Sequence, residues 1–265
     1  MIRAARLTKC FLLFVVSTAI ITPMALGLGD LLNPPGILEK IEKQDKFTIK
    51  FGLRGDSSPI SHRKWDKYEG YCPDFAELIR SQIKENLPNK TINIEFHETS
   101  LKTRFRKVAK NTIHLECGPN TIGNNHKGTQ FSIPFMSTSV SIMTQKGRRF
   151  DSNNETIGVL KSSSTKNSIK QHFTGLKTNQ IQEYGSRAEA INALNHQEID
   201  AFVSDQIILV GALKILGFDP ENYEFQELNP GNEKYGMIIS SKETEWLVFI
   251  NQLIKIKDLE DQSQL

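Results

Sequence analysis

The feature that most constrains the fold is an alternation of strand and helix patterns that runs through residues 47–117 and then starts again. In the first run, Phe47–Arg54 alternates apolar and polar residues, and Asp74–Ile83 carries apolar residues at helical spacing. This alternation is typical of a mostly parallel sheet that is covered by helices on both faces. Two successive runs of similar size indicate two lobes.

The second run contains further strands and helices in the same order of alternation. Extended segments near 138–146 and 226–238 are the candidate crossings between the lobes. We therefore predict an α/β fold in which lobe 1 comprises residues 37–140 plus 234–265 and lobe 2 comprises residues 141–233.

Residues 1–27 have the pattern of a secretory signal peptide. Three basic residues precede an uncharged run of 20 residues from Cys10 to Gly29, and Ala25-Leu26-Gly27 is a small-x-small cleavage site. We expect cleavage and export to the periplasm, although an uncleaved run of this length could anchor the chain in a membrane. Without this segment the chain has 33 − 3 = 30 basic and 30 acidic residues, a balance that argues against nucleic-acid binding.

Two cysteines, Cys72 and Cys117, follow the signal segment. An exported protein with an even number of cysteines can form a disulfide. Two buried thiols that never meet are the alternative, and the sequence leaves both open.

Several polar residues follow strand patterns, where an open α/β sheet binds small polar ligands. A turn rich in Gly, Asn and Thr follows Ile113–Cys117. Ser163, Ser164 and Thr165 stand at a strand-to-helix junction, where a helix N-terminus favours an anion, although one serine there could be an ordinary N-cap. Asp205 can bind a ligand cation or cap the next helix.

The six histidines show no metal-ligand spacing, and neither a nucleotide-binding loop nor a nucleophile elbow is present in the sequence. We therefore predict a binding protein that needs no metal and no cofactor, rather than an enzyme.

Four motifs, taken in order, resemble those of the extracellular solute-binding proteins (family 3) that serve amino-acid ABC importers. They are Gly70-Tyr71-Cys72-Pro73-Asp74-Phe75, Phe131-Ser132-Ile133-Pro134-Phe135, Asp200-Ala201-Phe202-Val203-Ser204-Asp205 and Tyr235-Gly236. The resemblance extends from about Ile37 to about Asn251. It implies the two-lobed type II periplasmic-binding-protein fold, with two mostly parallel sheets flanked by helices and a ligand cleft between the lobes.

The resemblance also implies a ligand-binding site with residues from both lobes. One wall would contain Ser58, Pro59, Ile60, Gly118, Asn120 and Thr121, and the other Ser163, Ser164, Thr165 and Asp205. Asp205 would hold the ammonium group of the ligand.

Within the family, Glu116-Cys117-Gly118 with Asn120 and Thr121 is most similar to the glutamate/aspartate-binding branch. Arg104 falls where that branch has an arginine, which favours an acidic amino acid as ligand. The family pattern also has an arginine after Thr121 that clamps the α-carboxylate. Here His126 or, in a second alignment, Asn125 takes that place, and neither carries a guanidinium group.

The implied function is that of a monomeric substrate-binding component, which closes on a small polar ligand and delivers it to an ABC permease in the membrane. Two other classes stay open. A sensory module with this fold would report the ligand to a receptor and would retain its N-terminal anchor. A dehydratase-type enzyme would need an acid–base pair in the cleft, for which His126 with Glu116 or Asp205 is the candidate.

Overall fold

Two five-stranded sheets organise the computed structural model, which describes residues 35–263 apart from 124–125, 164 and 229–230. The signal-peptide prediction for residues 1–27 lies outside the described residues, as do the site candidate Ser164 and the alignment position Asn125.

The helices are α1 Ile37–Lys43, α2 Tyr71–Asn86, α3 Arg104–Ala109, α4 Thr165–His172, α5 Arg187–Asn195, α6 Gln206–Ile215 and α7 Thr244–Ser263. The strands are β1 Lys46–Leu53, β2 Asp56–Ser57, β3 Ser61–Lys64, β4 Lys67–Glu69, β5 Thr91–Glu98, β6 Leu115–Cys117, β7 Thr129–Phe131, β8 Met136–Thr138, β9 Val140–Gln145, β10 Ile157–Leu160, β11 Ile181–Tyr184, β12 Ala201–Asp205, β13 Tyr223–Glu227, β14 Glu233–Tyr235 and β15 Ile238–Ser240.

The first sheet has the strand order β5-β1-β6-β15-β7, and the second has the order β11-β10-β12-β9-β13. In each sheet one strand, β15 or β9, runs antiparallel to its neighbours, while the other four share a direction. The α/β fold with two mostly parallel sheets is therefore confirmed. We call the part of the chain around the first sheet lobe 1 and the part around the second sheet lobe 2.

The chain passes between the two sheets along a pair of short strands. β8 and β14 pair antiparallel, with Ser137 opposite Lys234 and Met136 opposite Tyr235. β9 of lobe 2 begins two residues after β8 ends. Two adjacent crossing segments of this kind form a hinge about which lobes can rotate.

Each lobe has its own apolar core, and one helix contributes to both. Phe51, Phe75 and Trp246 are buried in lobe 1, while Phe202 and Leu209 belong to the core of lobe 2. α6 covers the lobe 2 sheet, but its residue Ile208 is fully buried within the lobe 1 cluster. The first turn of α6 therefore packs across the boundary between the lobes.

A small three-stranded sheet of β2, β3 and β4 follows β1 in the chain. These strands are two to four residues long and mostly exposed. Strands this short carry too few residues for apolar alternation to be recognised. Pairing with one another, rather than burial, gives them their extended form.

A disulfide joins Cys72 at the start of α2 to Cys117 at the end of β6, with the two Cα atoms 5.7 Å apart. Both cysteines are fully buried in the lobe 1 core. The structure thus decides between the two alternatives that the sequence left open, and a disulfide of this kind fits an oxidising compartment.

We expect the double substitution Cys72→Ala and Cys117→Ala to lower the free energy of unfolding by about 2–4 kcal/mol, because the disulfide closes a long loop in the unfolded chain. The loop spans 45 residues. Differential scanning calorimetry should show a melting temperature lower by several degrees. Reducing agent should destabilise the wild type similarly and leave the double variant unchanged. A wild-type melting temperature that is insensitive to reduction would contradict the assignment.

The backbones of the two lobes approach each other closely where α6 meets the loop after β2. A Cβ atom placed on Gly211 of α6 would lie 2.0 Å from the backbone oxygen of Ser58 and 2.4 Å from its carbonyl carbon. Because both contacts are with backbone atoms, no side-chain rotation can relieve them. Only glycine permits this approach of lobe 2 to lobe 1.

We expect Gly211→Ala to push the lobes apart, although alanine is the better helix former by about 1 kcal/mol. Small-angle X-ray scattering of the ligand-free protein should show a larger radius of gyration than for the wild type. Gly175→Ala is the matched control, since nothing lies within 4 Å of the added Cβ atom there. An unchanged radius of gyration together with a raised melting temperature would rule out a contact of this kind.

Candidate functional site

A cavity of about 460 Å³ lies between the lobes, and residues of both lobes line it. Six of the predicted site residues belong to its wall: Arg104, Thr121, His126, Ser163, Thr165 and Asp205. The other lining residues are Leu101, Phe105, Pro119, Gly123, Phe131, Leu160, Asn167, Arg187 and Ser204. The cavity has the size of pockets that hold small ligands.

The loop Ser58-Pro59-Ile60 is not part of this wall. The backbone N–H groups of Tyr71 and Cys72 donate to the carbonyl oxygens of Pro59 and Ile60, at 3.1 and 2.9 Å. These N–H groups belong to the first turn of α2, which has no partners of its own for them. The loop therefore caps a helix, and Ile60 is fully buried in lobe 1.

Gly70 makes this cap possible. Its φ angle is +117°, and a Cβ atom would lie 2.5 Å from the carbonyl oxygen of Pro59. The first residue of the Gly-Tyr-Cys-Pro-Asp motif must therefore be glycine, because two backbone segments approach each other closely there.

Gly118 and Asn120 lie behind the cavity wall. Asn120 is fully buried, and its side-chain amide donates to the carboxylate of Glu116 and to the carbonyl oxygen of Gly236 at 3.3 Å. Glu116 also accepts from the hydroxyl of Thr99 at 2.8 Å. These hydrogen bonds hold the turn after β6, from which Thr121 reaches the cavity.

Asp205 stands at the carboxyl end of β12, in the N-cap position of α6, but its side chain makes no capping hydrogen bond. Its carboxylate accepts a hydrogen bond from the hydroxyl of Tyr235 instead. Burial raises the pKa of Asp205 to about 6, while the hydrogen bond from Tyr235 and the guanidinium of Arg187 oppose that shift. The carboxylate is thus available to a cation in the cavity rather than used by its own helix.

Tyr235 connects Asp205 to the hinge, since it ends the crossing strand β14 and is fully buried. Burial raises the pKa of Tyr235 well above its usual value, and the neighbouring Asp205 carboxylate adds to this. The hydroxyl therefore stays protonated and serves as the donor.

Ser163 and Thr165 stand at the junction of β10 and α4. The Ser163 hydroxyl donates to the carbonyl oxygen of Leu160 at 2.6 Å and also contacts the hydroxyl of Thr165. Since the Ser163 proton is directed to Leu160, Thr165 is the donor in the second contact. Both hydroxyl oxygens are thereby fixed at the cavity wall.

Arg104 is the first residue of α3, and its Nε and Nη1 atoms are buried without a hydrogen-bond partner among the described residues. Burial lowers the pKa of Arg104, and the carboxylate of Glu116 opposes that shift. The guanidinium carbon lies 5.1 Å from the centroid of the Phe105 ring, onto which the ring of His126 also packs. The three side chains form one side of the cavity.

Arg187, the first residue of α5, also lines the cavity, and the sequence analysis did not identify it. Ser186 caps that helix by accepting from the N–H of Glu189 at 3.2 Å. A helix N-terminus disfavours a cation, so a basic residue directly after an N-cap is a signal that an acidic partner is close. That partner is Asp56 of lobe 1, whose carboxylate accepts from Nη1 of Arg187 at 3.1 Å.

Residues 49–256 match the model of a single family, the bacterial extracellular solute-binding proteins, family 3. The chain belongs to this family. This membership, together with the architecture of the two sheets, confirms the two-lobed fold, and it places the protein outside the cytoplasm by the nature of the family. No curated protein sequence matches the chain.

Solved structures of this fold resemble the protein at low sequence identity. A substrate-binding protein of an ABC uptake transporter from Streptococcus pneumoniae with bound histidine has a TM-score of 0.69 and 18% identity, covering 82% of this chain and 89% of the other. The ancestral amino-acid-binding protein AncCDT-1, a precursor of cyclohexadienyl dehydratase, has a TM-score of 0.68 and 18% identity, with coverages of 86% and 95%. The arginine-bound form of truncated ArgBP from T. maritima gives 0.67 and 17%, with coverages of 83% and 99%.

No described helix has the length and apolar character that crossing a membrane requires. Within the same residues, no group of three or more His, Cys, Asp and Glu side chains could hold a metal ion.

We expect Asp205→Asn to raise the stability of the ligand-free protein at pH 7. The folded-state pKa of about 6 exceeds the usual 3.8, so the free energy of unfolding falls as the pH rises from about 4 to 6, and the cost persists above that. Asparagine keeps an acceptor for Tyr235 and removes the charge, a gain of about 1–3 kcal/mol. Melting curves at pH 4 and pH 7 check this: the variant should exceed the wild type at pH 7 and match it at pH 4. A wild type that is more stable at pH 7 than the variant would show the carboxylate to be well compensated.

Proposed function

We propose that this protein is the substrate-binding component of an ABC importer and that it binds an amino acid in the interlobe cavity. The observation that carries the proposal is the Asp205 carboxylate, which lies at the cavity, does not cap its helix and is suited to an ammonium group. Family membership and the amino-acid-binding proteins among the structural neighbours support it.

Arg104 suits the other end of an amino acid better than the hydroxyl groups of the wall do. The hydroxyls of Thr121 and Thr165 donate to Glu233 and Ser163, so their protons are not available to a ligand carboxylate. Arg104 has unused N–H groups at the same cavity, which favours an acidic amino acid such as glutamate or aspartate. We place the protein in the glutamate/aspartate-binding branch on this basis.

Ligand binding would be coupled to closure at the hinge. Asp205 belongs to lobe 2, whereas its partner Tyr235 lies on the crossing strand β14. A ligand that contacts Asp205 is therefore connected to the hinge through one hydrogen bond. A ligand that touches both lobes stabilises the closed form by its difference in affinity for the two forms. The closed protein, exported by its signal peptide and acting as a monomer in the periplasm, would then deliver the ligand to a membrane permease.

An enzymatic function is the second candidate, because His126 and Asp205 both line the cavity and one structural neighbour is a precursor of a dehydratase. Glu116 is the weaker partner for His126, since it is fully buried and hydrogen-bonded to Thr99 and Asn120. Conversion of a bound ligand that His126→Ala abolishes would favour this candidate over transport.

The first test is a thermal-shift screen of the protein without residues 1–27 against amino acids, including glutamate, aspartate, glutamine, histidine and arginine. A ligand at 100 times its dissociation constant should stabilise the fold by about 2.7 kcal/mol, a shift of several degrees. Asp205→Ala should remove the shift.

Glu221→Ala is the matched control for that variant, because Glu221 is an exposed carboxylate that does not line the cavity. Cooperative melting without a shift for any amino acid would refute the proposed ligand class.

A further inference from the structure

Three arginines gather beside the cavity, two from lobe 1 and one from lobe 2. Arg54 follows β1, Arg104 begins α3, and Arg187 begins α5. Arg54 and Arg187 are 7% and 6% exposed. Arg54 and Arg187 share the carboxylate of Asp56, and Arg104 and Arg187 line the same cavity, so the three arginines lie near one another. Burial lowers the pKa values of Arg104 and Arg187, and the positive charge of Arg54 lowers both further, while Glu116 opposes the shift at Arg104 and Asp56 opposes it at Arg187.

One carboxylate holds two of these arginines in place. Asp56 accepts from Nη2 of Arg54 at 2.9 Å and from Nη1 of Arg187 at 3.1 Å, so it joins the two lobes. Burial alone would raise the pKa of Asp56, but Arg187 and Arg54 lower it below its usual value. Asp56 thus stays ionised and holds Arg187 in position through Nη1. The Nε–H of Arg187 takes no part in this contact.

Four guanidinium nitrogens of these arginines have N–H groups without a partner among the described residues. Nη1 of Arg54, Nε and Nη1 of Arg104, and Nε of Arg187 are buried and have no hydrogen-bond partner among the residues that the structure describes. Leaving buried charged donors unpaired is costly, and a guanidinium has no acceptor of its own. An oxyanion suits them best, since it accepts several hydrogen bonds at once and carries the opposite charge.

These unused donors are next to the ligand cavity. Arg104 and Arg187 line it from opposite lobes. Arg54 lines an adjoining cleft, which shares Leu101 and Leu160 with the cavity. The family has a carboxylate-clamping arginine a few residues after Thr121, and this sequence has none there. Arg104 and Arg187 are therefore the guanidinium groups of the described cavity wall.

We propose that Arg104 and Arg187 bind one carboxylate of the ligand from opposite lobes, with Arg54 and Asp56 as positioning residues for Arg187. This rests on the proposed function in one respect, namely that the ligand enters this cavity. In the family pattern, an arginine of one lobe clamps the carboxylate. The proposed clamp has one arginine from each lobe and is therefore complete only when the lobes are closed. An amino acid offers two sources of that group, the α-carboxylate and an acidic side chain.

Isothermal titration calorimetry of wild type and Arg187→Gln tests the clamp with four probes. Glutamate carries both carboxylates, glutamine only the α-carboxylate, 4-aminobutyrate only the distal one, and glutarate two carboxylates without an ammonium group. We expect Arg187→Gln to weaken the binding of glutamate by about 10- to 100-fold. An equal loss for glutamine assigns the α-carboxylate, whereas a loss confined to glutamate and 4-aminobutyrate assigns the side chain.

Two further variants separate a binding role from a structural one. Arg104→Gln should give the same loss for the same probes, because it removes the other half of the clamp without touching Asp56. Arg106→Gln is the matched control, since Arg106 lies on the same helix and is exposed. Arg187→Lys, which keeps the charge but not the planar fork, should restore only part of the affinity. Melting curves of each variant show whether it is folded.

The outcomes distinguish the clamp from the proposed function. Binding of glutarate but of no amino acid would refute the amino-acid ligand and support the clamp. Binding of amino acids with affinities that neither Arg187→Gln nor Arg104→Gln changes would overturn the clamp and leave the proposed function standing. A wild type that binds none of the four probes overturns the clamp, and the thermal-shift screen decides separately whether another amino acid binds.

Discussion

The constraint on which the site depends is that parallel strands in a sheet end at the same edge, and in this protein both sheets present such edges to one cavity. In lobe 2, β10 and β12 end at Leu160 and Asp205, which line the cavity. In lobe 1, β6 continues into the turn that carries Pro119 and Thr121 to the opposite wall. Residues far apart in sequence thereby meet, because their strands share a direction.

The chemical character of the cavity follows from burial. A charged group away from water needs a partner, and each charged group here either has one or is poised for one. Tyr235 stabilises the Asp205 carboxylate, and Asp56 links Arg54 with Arg187. Among the residues that the structure describes, the buried Nε and Nη1 of Arg104 have no such partner. Unpaired donors of this kind mark a binding site, whereas an ion-pair network leaves none.

Closure of the lobes connects these features. Gly211 allows α6 to approach the backbone at Ser58, and Ile208 on the same helix is buried in the lobe 1 core. Arg187 pairs with Asp56 across the same boundary. One side of the interlobe boundary thus combines backbone contact, apolar burial and an ion pair. The paired hinge strands β8 and β14 connect the two lobes.

The alternation of strands and helices and the two-lobed α/β fold could be predicted from the sequence, because hydrophobic periodicity and turn residues are local properties. The segments that meet at the cavity were predicted from the resemblance of the motifs to the family. The sequence also located the Thr121 turn, the Ser163–Thr165 junction and Asp205. The tertiary structure alone decided that Cys72 and Cys117 pair, that the Ser58-Pro59-Ile60 loop caps α2, and that Asp205 bonds to Tyr235 rather than to its own helix. It also brought Arg187 to the cavity. Each of these depends on partners at least ten residues away, and a local pattern does not record which distant group will lie within hydrogen-bonding distance.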